Sequence, residues 1–164
     1  MQGALLLAVS ARMPCMRGRY FHGRYFAPAS VSGTISVNDA FTAAFDRSHA
    51  LTLPAPLYLP RDMQVERILA YTLDCETFML RAFVDFFRER CAAGHGFFVD
   101  SGANEGLWSL LAASFGCRVL SVEPQPGCAA LVQRGVHLNN LTRRIHVINR
   151  ALAVRCPRIE HGTF

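Results

Sequence analysis

The chain contains no lysine: all 17 of its basic residues are arginine. So uniform a choice reflects genome composition rather than a binding site, and the net charge of +5 has to be judged by position. Residues 1–36 carry four arginines (Arg12, Arg17, Arg19 and Arg24) and no acid, while the remainder holds 13 basic and 12 acidic residues, a net of +1. The basicity belongs to the leader, which removes the charge argument for a nucleic-acid-binding domain. Apolar residues nowhere run for the roughly 18 positions that a membrane-spanning helix requires. A soluble protein is therefore expected. The six cysteines form no C-x-x-C pair and no Cys/His spacing suited to zinc. They are expected to be buried thiols in a reducing compartment, with no metal ligand among them or among the six histidines. No GK[ST] is present, which excludes a P-loop.

What is present is enough apolar residue for a core, 51% of 164 residues, and length for one domain. Residues 1–56 form a Gly-, Ser- and Ala-rich leader, expected to be variable and disordered. Its "GALLLAVSA" has the length of a secretory signal but no basic stretch before it, and its Arg-rich, acid-free composition also suits organelle targeting. The tandem "GRYFHGRYF" interleaves arginine with aromatics as single-stranded nucleic-acid binders do. Sequence translated upstream of a later start, at Met13, Met16 or Met63, is a further reading. Residues 57–96 are expected to be helical. Val65, Ile68, Leu69 and Thr72 share one face, and Leu80, Phe83, Val84 and Phe87 follow at i, i+3, i+4 and i+7, a packing surface ended by Gly94 or Gly96.

Residues 97–154 carry the information, with 155–164 as a short tail. "FFVD" has the composition of a buried parallel strand. "EGLWSLLAASFG" places Leu107, Leu110, Leu111 and Phe115 at helical spacing. "RVLSVE", "GCAALVQRGVHLNN" and "IHVIN" supply a second strand, a second helix and a third strand. This βαβαβ order is one half of a doubly wound α/β fold, whose ligands bind beyond the carboxyl ends of the strands. Asp100 to Gly106 and Glu123 lie at that edge. Gly102 and Gly106 let backbone approach a ligand, and Asn104 is one of the few residues other than glycine that tolerates positive φ. Glu123 follows Asp100 by 23 residues, the spacing of an acid that accepts hydrogen bonds from a ribose diol.

A nucleoside ligand is expected on this pattern. The positions after Gly102 break G-x-G-x-x-G, and Glu105, expected in the first helical turn, repels a pyrophosphate. S-adenosylmethionine has no phosphate, and its sulfonium and ammonium groups suit the acids Asp100, Glu105 and Glu123. An NAD-dependent oxidoreductase half-domain is the less favoured alternative. A βαβ unit whose glycines only permit tight packing is the structural one.

"VDSGANEG", "VEPQP", "LNN" and "VINRALA" together resemble the FkbM family of S-adenosylmethionine-dependent methyltransferases, over about 97–154 and extending back through "LYLPRDMQVERIL". The paired D-x-G-A-N-x-G and E-P-x-P motifs carry the resemblance; Ser101 and Glu105 depart from its commonest pattern. It implies a Rossmann-like class I methyltransferase half, a parallel βαβαβ sheet preceded by a helical segment. It implies that Asp100, Gly102, Ala103, Asn104 and Gly106 form the cofactor turn, that Glu123 holds the ribose hydroxyls and Pro124 shapes the adenine side, and that Asn149 or Arg150 lies near the adenine. The implied reaction is methyl transfer to a hydroxyl of a glycan, lipid or secondary metabolite, and no residue is assigned as base. The family fold has seven strands, and only "RCPRIEHGTF" follows Val154. The expectation is a C-terminally truncated methyltransferase, cytoplasmic or targeted to an organelle by its leader, or one completed by a second chain. A catalytically inactive cofactor-binding or interaction fragment is the alternative.

Overall fold

The computed structural model describes residues 5–9, 33–45 and 51–152. The arginine-rich part of the leader and the tail beyond residue 152 lie outside the described residues. The described chain is mixed α/β, compatible with part of a Rossmann-like fold.

Its centre is a parallel sheet. Strand β4 (Phe97–Ser101), helix α4 (Leu107–Ser114), strand β5 (Arg118–Val122), helix α5 (Pro126–Leu138) and strand β6 (Ile145–Ile148) follow in chain order. Phe97 pairs with Arg118 and Ser101 with Val122, and Val119 pairs with Ile145, so neighbouring strands run parallel with carboxyl ends together. Alternation marks the faces. Phe98, Asp100, Val119 and Ser121 are buried, while Phe97, Val99, Leu120 and His146 on the opposite face are exposed or half-buried. Phe98 packs edge-on against Phe83 and Phe87 on the covered face.

Helix α4 is buried almost all round: Leu107 and Ser109 to Ala113 are inaccessible. It approaches α5 closely because residue 135 is glycine. A Cβ there would stand 2.7 Å from Leu110 Cδ1. Helices α2 (Met63–Cys75) and α3 (Thr77–Cys91) precede the sheet. Val65, Leu69 and Thr72 are buried, as are Leu80, Val84 and Phe87, so both expected apolar faces form. The chain turns after α3 at Gly94, whose φ of +75° suits a residue without Cβ.

Three expectations need correction. First, part of the supposed leader is folded. Strand β2 (Thr34–Ser36) and helix α1 (Val37–Ala44) precede strand β3 (Tyr58–Pro60), which pairs with β2 in antiparallel. Val37, Ala40 and Phe41 are buried. Ser36 caps α1, its Oγ accepting from the Asp39 N–H, and Asn38 accepts from the Leu57 N–H. The hairpin therefore crosses the expected boundary at residue 57. Second, residues of the signal-like "GALLLAVSA" form a strand beside β4. This strand, β1 (Leu5–Val9), is parallel to β4, Leu5 opposite Phe97 and Val9 opposite Ser101. The strand order is β1-β4-β5-β6.

Third, the cysteines are not all thiols. Cys91 at the end of α3 and Cys117 before β5 form a disulfide, their Cα atoms 4.7 Å apart. Cys75 is disulfide-bonded as well. Because disulfides persist mainly in oxidising surroundings, the thiol argument for a reducing compartment does not hold. No described helix is long and apolar enough to cross a membrane.

Candidate functional site at the carboxyl edge of the sheet

The β4–α4 turn is shaped by three residues at positive φ: Gly102 at +79°, Asn104 at +53° and Gly106 at +87°. Asn104 thus adopts the conformation its residue type suggested. The two glycines differ. Among the described residues no atom lies within 4 Å of a Cβ built on Gly102, whose backbone is exposed. A Cβ on Gly106 would stand 2.9 Å from Val132 Cγ1, so this glycine serves the packing of the turn on α5.

The turn is closed by hydrogen bonds to the end of β5. The Gly102 and Ala103 N–H groups both donate to the Val122 carbonyl, at 2.8 and 3.0 Å. The Asn104 N–H donates to Glu123 Oε2 at 2.8 Å, and the Gln125 N–H to Glu123 Oε1 at 2.8 Å. Glu123 therefore ties the two loops of this edge together, and it is only 2% exposed. Each carboxylate oxygen retains a second lone pair with which to accept a hydroxyl. At 2% exposure, Glu123 presents little of either oxygen to solvent. Asn149, just past β6, donates through Nδ2 to the carbonyls of Glu123 and Pro124, at 2.8 and 3.0 Å. Pro124 itself is exposed and Ala103 buried. All eight expected cofactor residues thus gather at this edge.

Asp100 lies beneath the turn. Burial pushes its carboxyl up from 3.8 to about 6, against hydrogen bonds from the Ser109 hydroxyl and backbone, with the negative charge of Glu123 raising it further. The Ser109 Oγ–H donates to Asp100 Oδ2 at 2.6 Å. Ser109 was not picked out from the sequence, although a hydroxyl on the apolar face of a nearly all-apolar helix was a signal to follow. Cys128 was missed too. Its buried thiol meets Asn104 Oδ1 at 3.4 Å and so adjoins the turn.

Glu105 is not in the first helical turn as expected. Helix α4 starts at Leu107 with Gly106 as its N-cap, which puts Glu105 one residue earlier, buried. The helix begins later because Gly106 takes a left-handed φ that no helical residue shares. A carboxylate at this place still opposes a pyrophosphate at the helix N-terminus. Among the described residues no group of three or more His, Cys, Asp or Glu side chains is placed to hold a metal ion.

No protein-family model matches the chain, and no curated protein matches it either.

Proposed function

We propose that the carboxyl edge of the sheet binds S-adenosylmethionine and that the fold belongs to a methyltransferase of the FkbM type, acting on a hydroxyl of a glycan, lipid or secondary metabolite. The observation that carries this reading is the Gly102–Asn104–Gly106 turn closed onto Glu123 at the ends of adjacent parallel strands. The residues fit the ligand's chemistry. Gly102 offers backbone without a side chain in the way. Glu123 offers acceptors for a ribose diol, and Asp100 and Glu105 add negative charge near a sulfonium. When bound, S-adenosylmethionine supplies an electrophilic methyl group. The chain's own part is to hold the ligand and align an acceptor oxygen with that group. NAD is a poorer fit, because the Gly102, Ala103, Asn104 and Gly106 amides are engaged by internal acceptors and Glu105 stands before the helix.

One observation favours a second reading, a cofactor-binding or interaction fragment without transfer activity. Both oxygens of buried Glu123 accept backbone amides, the arrangement of a loop tie. Calorimetric titration of the full chain with S-adenosylmethionine, S-adenosylhomocysteine and NAD tests both. Binding of the first two, absent for NAD and weakened at least tenfold in Glu123→Gln, is the expected result. A folded chain that binds none of them overturns cofactor binding and leaves Glu123 as a structural tie. Binding without transfer to any of a panel of glycan, lipid and phenolic hydroxyls selects the second reading.

A further inference from the structure

Charge is segregated along the strands. Residues 97–148 contain three carboxylates, Asp100, Glu105 and Glu123, and all are buried at the carboxyl edge. Three of the four arginines in the same span, Arg118, Arg143 and Arg144, surround a depression at the opposite, amino edge. The two edges lie about 13 Å apart across a five-residue strand. The depression measures about 180 Å³ and is lined by these arginines with His146, Thr142 and Phe97. Among the described residues no carboxylate lines it. Arg118, Arg143, Arg144 and His146 are all exposed, and none of the arginines makes an ion pair among the described residues.

The fold brings these groups together by register. Arg118 pairs with Phe97 and Leu120 with His146, so Arg118 and His146 project diagonally from one face of adjacent strands. Arg143 and Arg144 come from the loop that leads into β6. Arg144 is fixed in place, its Nη1 donating to the Gly116 carbonyl at 2.6 Å. An ungrouped set of surface arginines would be spread to limit repulsion. Here three arginines line one depression.

We propose that this amino-edge depression is a binding site for a phosphate group, separate from the carboxyl-edge site and independent of the function proposed for it. Guanidinium forks match phosphate oxygens in pairs, and the Thr142 hydroxyl and His146 ring add donors at the rim. A volume of about 180 Å³ is below the range of sites that enclose a whole cofactor. The site therefore takes the phosphate end of a ligand, either a soluble phosphorylated molecule or a phosphorylated lipid headgroup.

The test is titration of the full chain with inorganic pyrophosphate, followed by amide chemical shifts and by calorimetry, at constant ionic strength. The expected result is saturable shifts at Arg118 and Thr142 to His146, with affinity reduced at least tenfold in Arg118→Gln/Arg143→Gln. That variant keeps Arg144, whose hydrogen bond is structural. Its unfolding midpoint is measured alongside, and the wild-type shift map stands even if the variant does not fold. Vesicles of phosphatidylcholine with and without phosphoinositide separate the sources. Binding to phosphoinositide vesicles well above that of pyrophosphate assigns a lipid headgroup, and pyrophosphate binding without it assigns a soluble ligand. Absent shifts, shifts elsewhere, or equal shifts with acetate overturn the proposal.

Discussion

Residues 97–148 and residues 33–60 enter the same core by different routes. In the first, each element is encoded locally: strands as short apolar runs, helices as 3.6-residue stripes, turns as Gly and Asn at positive φ. In the second, the elements are short and held by distant partners. Strand β3 has three residues, and its Tyr58 exchanges two hydrogen bonds with the Asn139 side chain, which accepts from the Tyr58 N–H at 2.8 Å and donates to the Tyr58 carbonyl at 2.6 Å. The amide of Asn139 does there what a neighbouring strand would do. Arg81 of α3 covers the Phe45 ring at 5.1 Å, fastening the end of α1 in the same way. A segment can thus be integral to a core while its own sequence has the composition of a linker.

The largest test of this comparison pairs two phenylalanines. Phe98 in β4 and Phe41 in α1 are both buried, at 0% and 1% exposure. Truncating either to alanine is expected to cost about 3–5 kcal/mol in denaturant unfolding. A near-zero effect for Phe41→Ala alone would return residues 33–45 to the status of a leader.

Next in size is a pH effect confined to the first region. A carboxyl whose pKa is raised by folding takes up a proton between its unfolded and folded values. The contribution of Asp100 is therefore most favourable below 3.8 and is lost as the pH rises through about 6. The loss amounts to about 3 kcal/mol. The stability difference between Asp100→Asn and wild type should grow in favour of the variant across that window and then level off. A difference that is flat with pH would show that Asp100 is not desolvated.

Two glycines of one turn separate strain from packing. Gly106→Ala combines a left-handed φ with a collision against Val132 and is expected to destabilise by about 3 kcal/mol. Gly102→Ala carries the left-handed cost alone, about 1–2 kcal/mol, yet it places a methyl group at the turn proposed to contact S-adenosylmethionine. Its expected signature is weakened S-adenosylhomocysteine binding with a small change in melting temperature. An effect of similar size belongs to the joint between the regions. Asn139→Ala is expected to cost about 1–2 kcal/mol and to speed hydrogen exchange at the Tyr58 amide, leaving the amides of β5 protected.

Most of the carboxyl edge was legible because its signals are local. Gly102, Asn104 and Gly106 are chosen by backbone conformation, and Glu123 by its spacing from Asp100. What escaped was pairwise and distant. Nothing near Asn139 in the chain points to Tyr58, 81 residues away. The Cys91–Cys117 pair has no motif because its partners sit on different elements. Strand β1 was missed for the same reason: "LLLAV" is apolar enough for a strand or a signal, and only Phe97–Ser101 selects the strand. The start of α4 was misplaced by two residues because Glu105 is a good helix former and the dihedral of Gly106 is invisible in a sequence.

The disulfide between Cys91 and Cys117 spans 26 residues, and β4, the whole 102–106 turn and α4 lie within that interval. The proposed ligand-contacting backbone is therefore part of a covalent ring, whose closure removes unfolded-chain entropy worth about 3.5 kcal/mol. A protease that nicks the exposed backbone at Gly102 leaves one molecule of unchanged mass but for an added water. The two pieces part on a gel only after a thiol reductant has opened the ring.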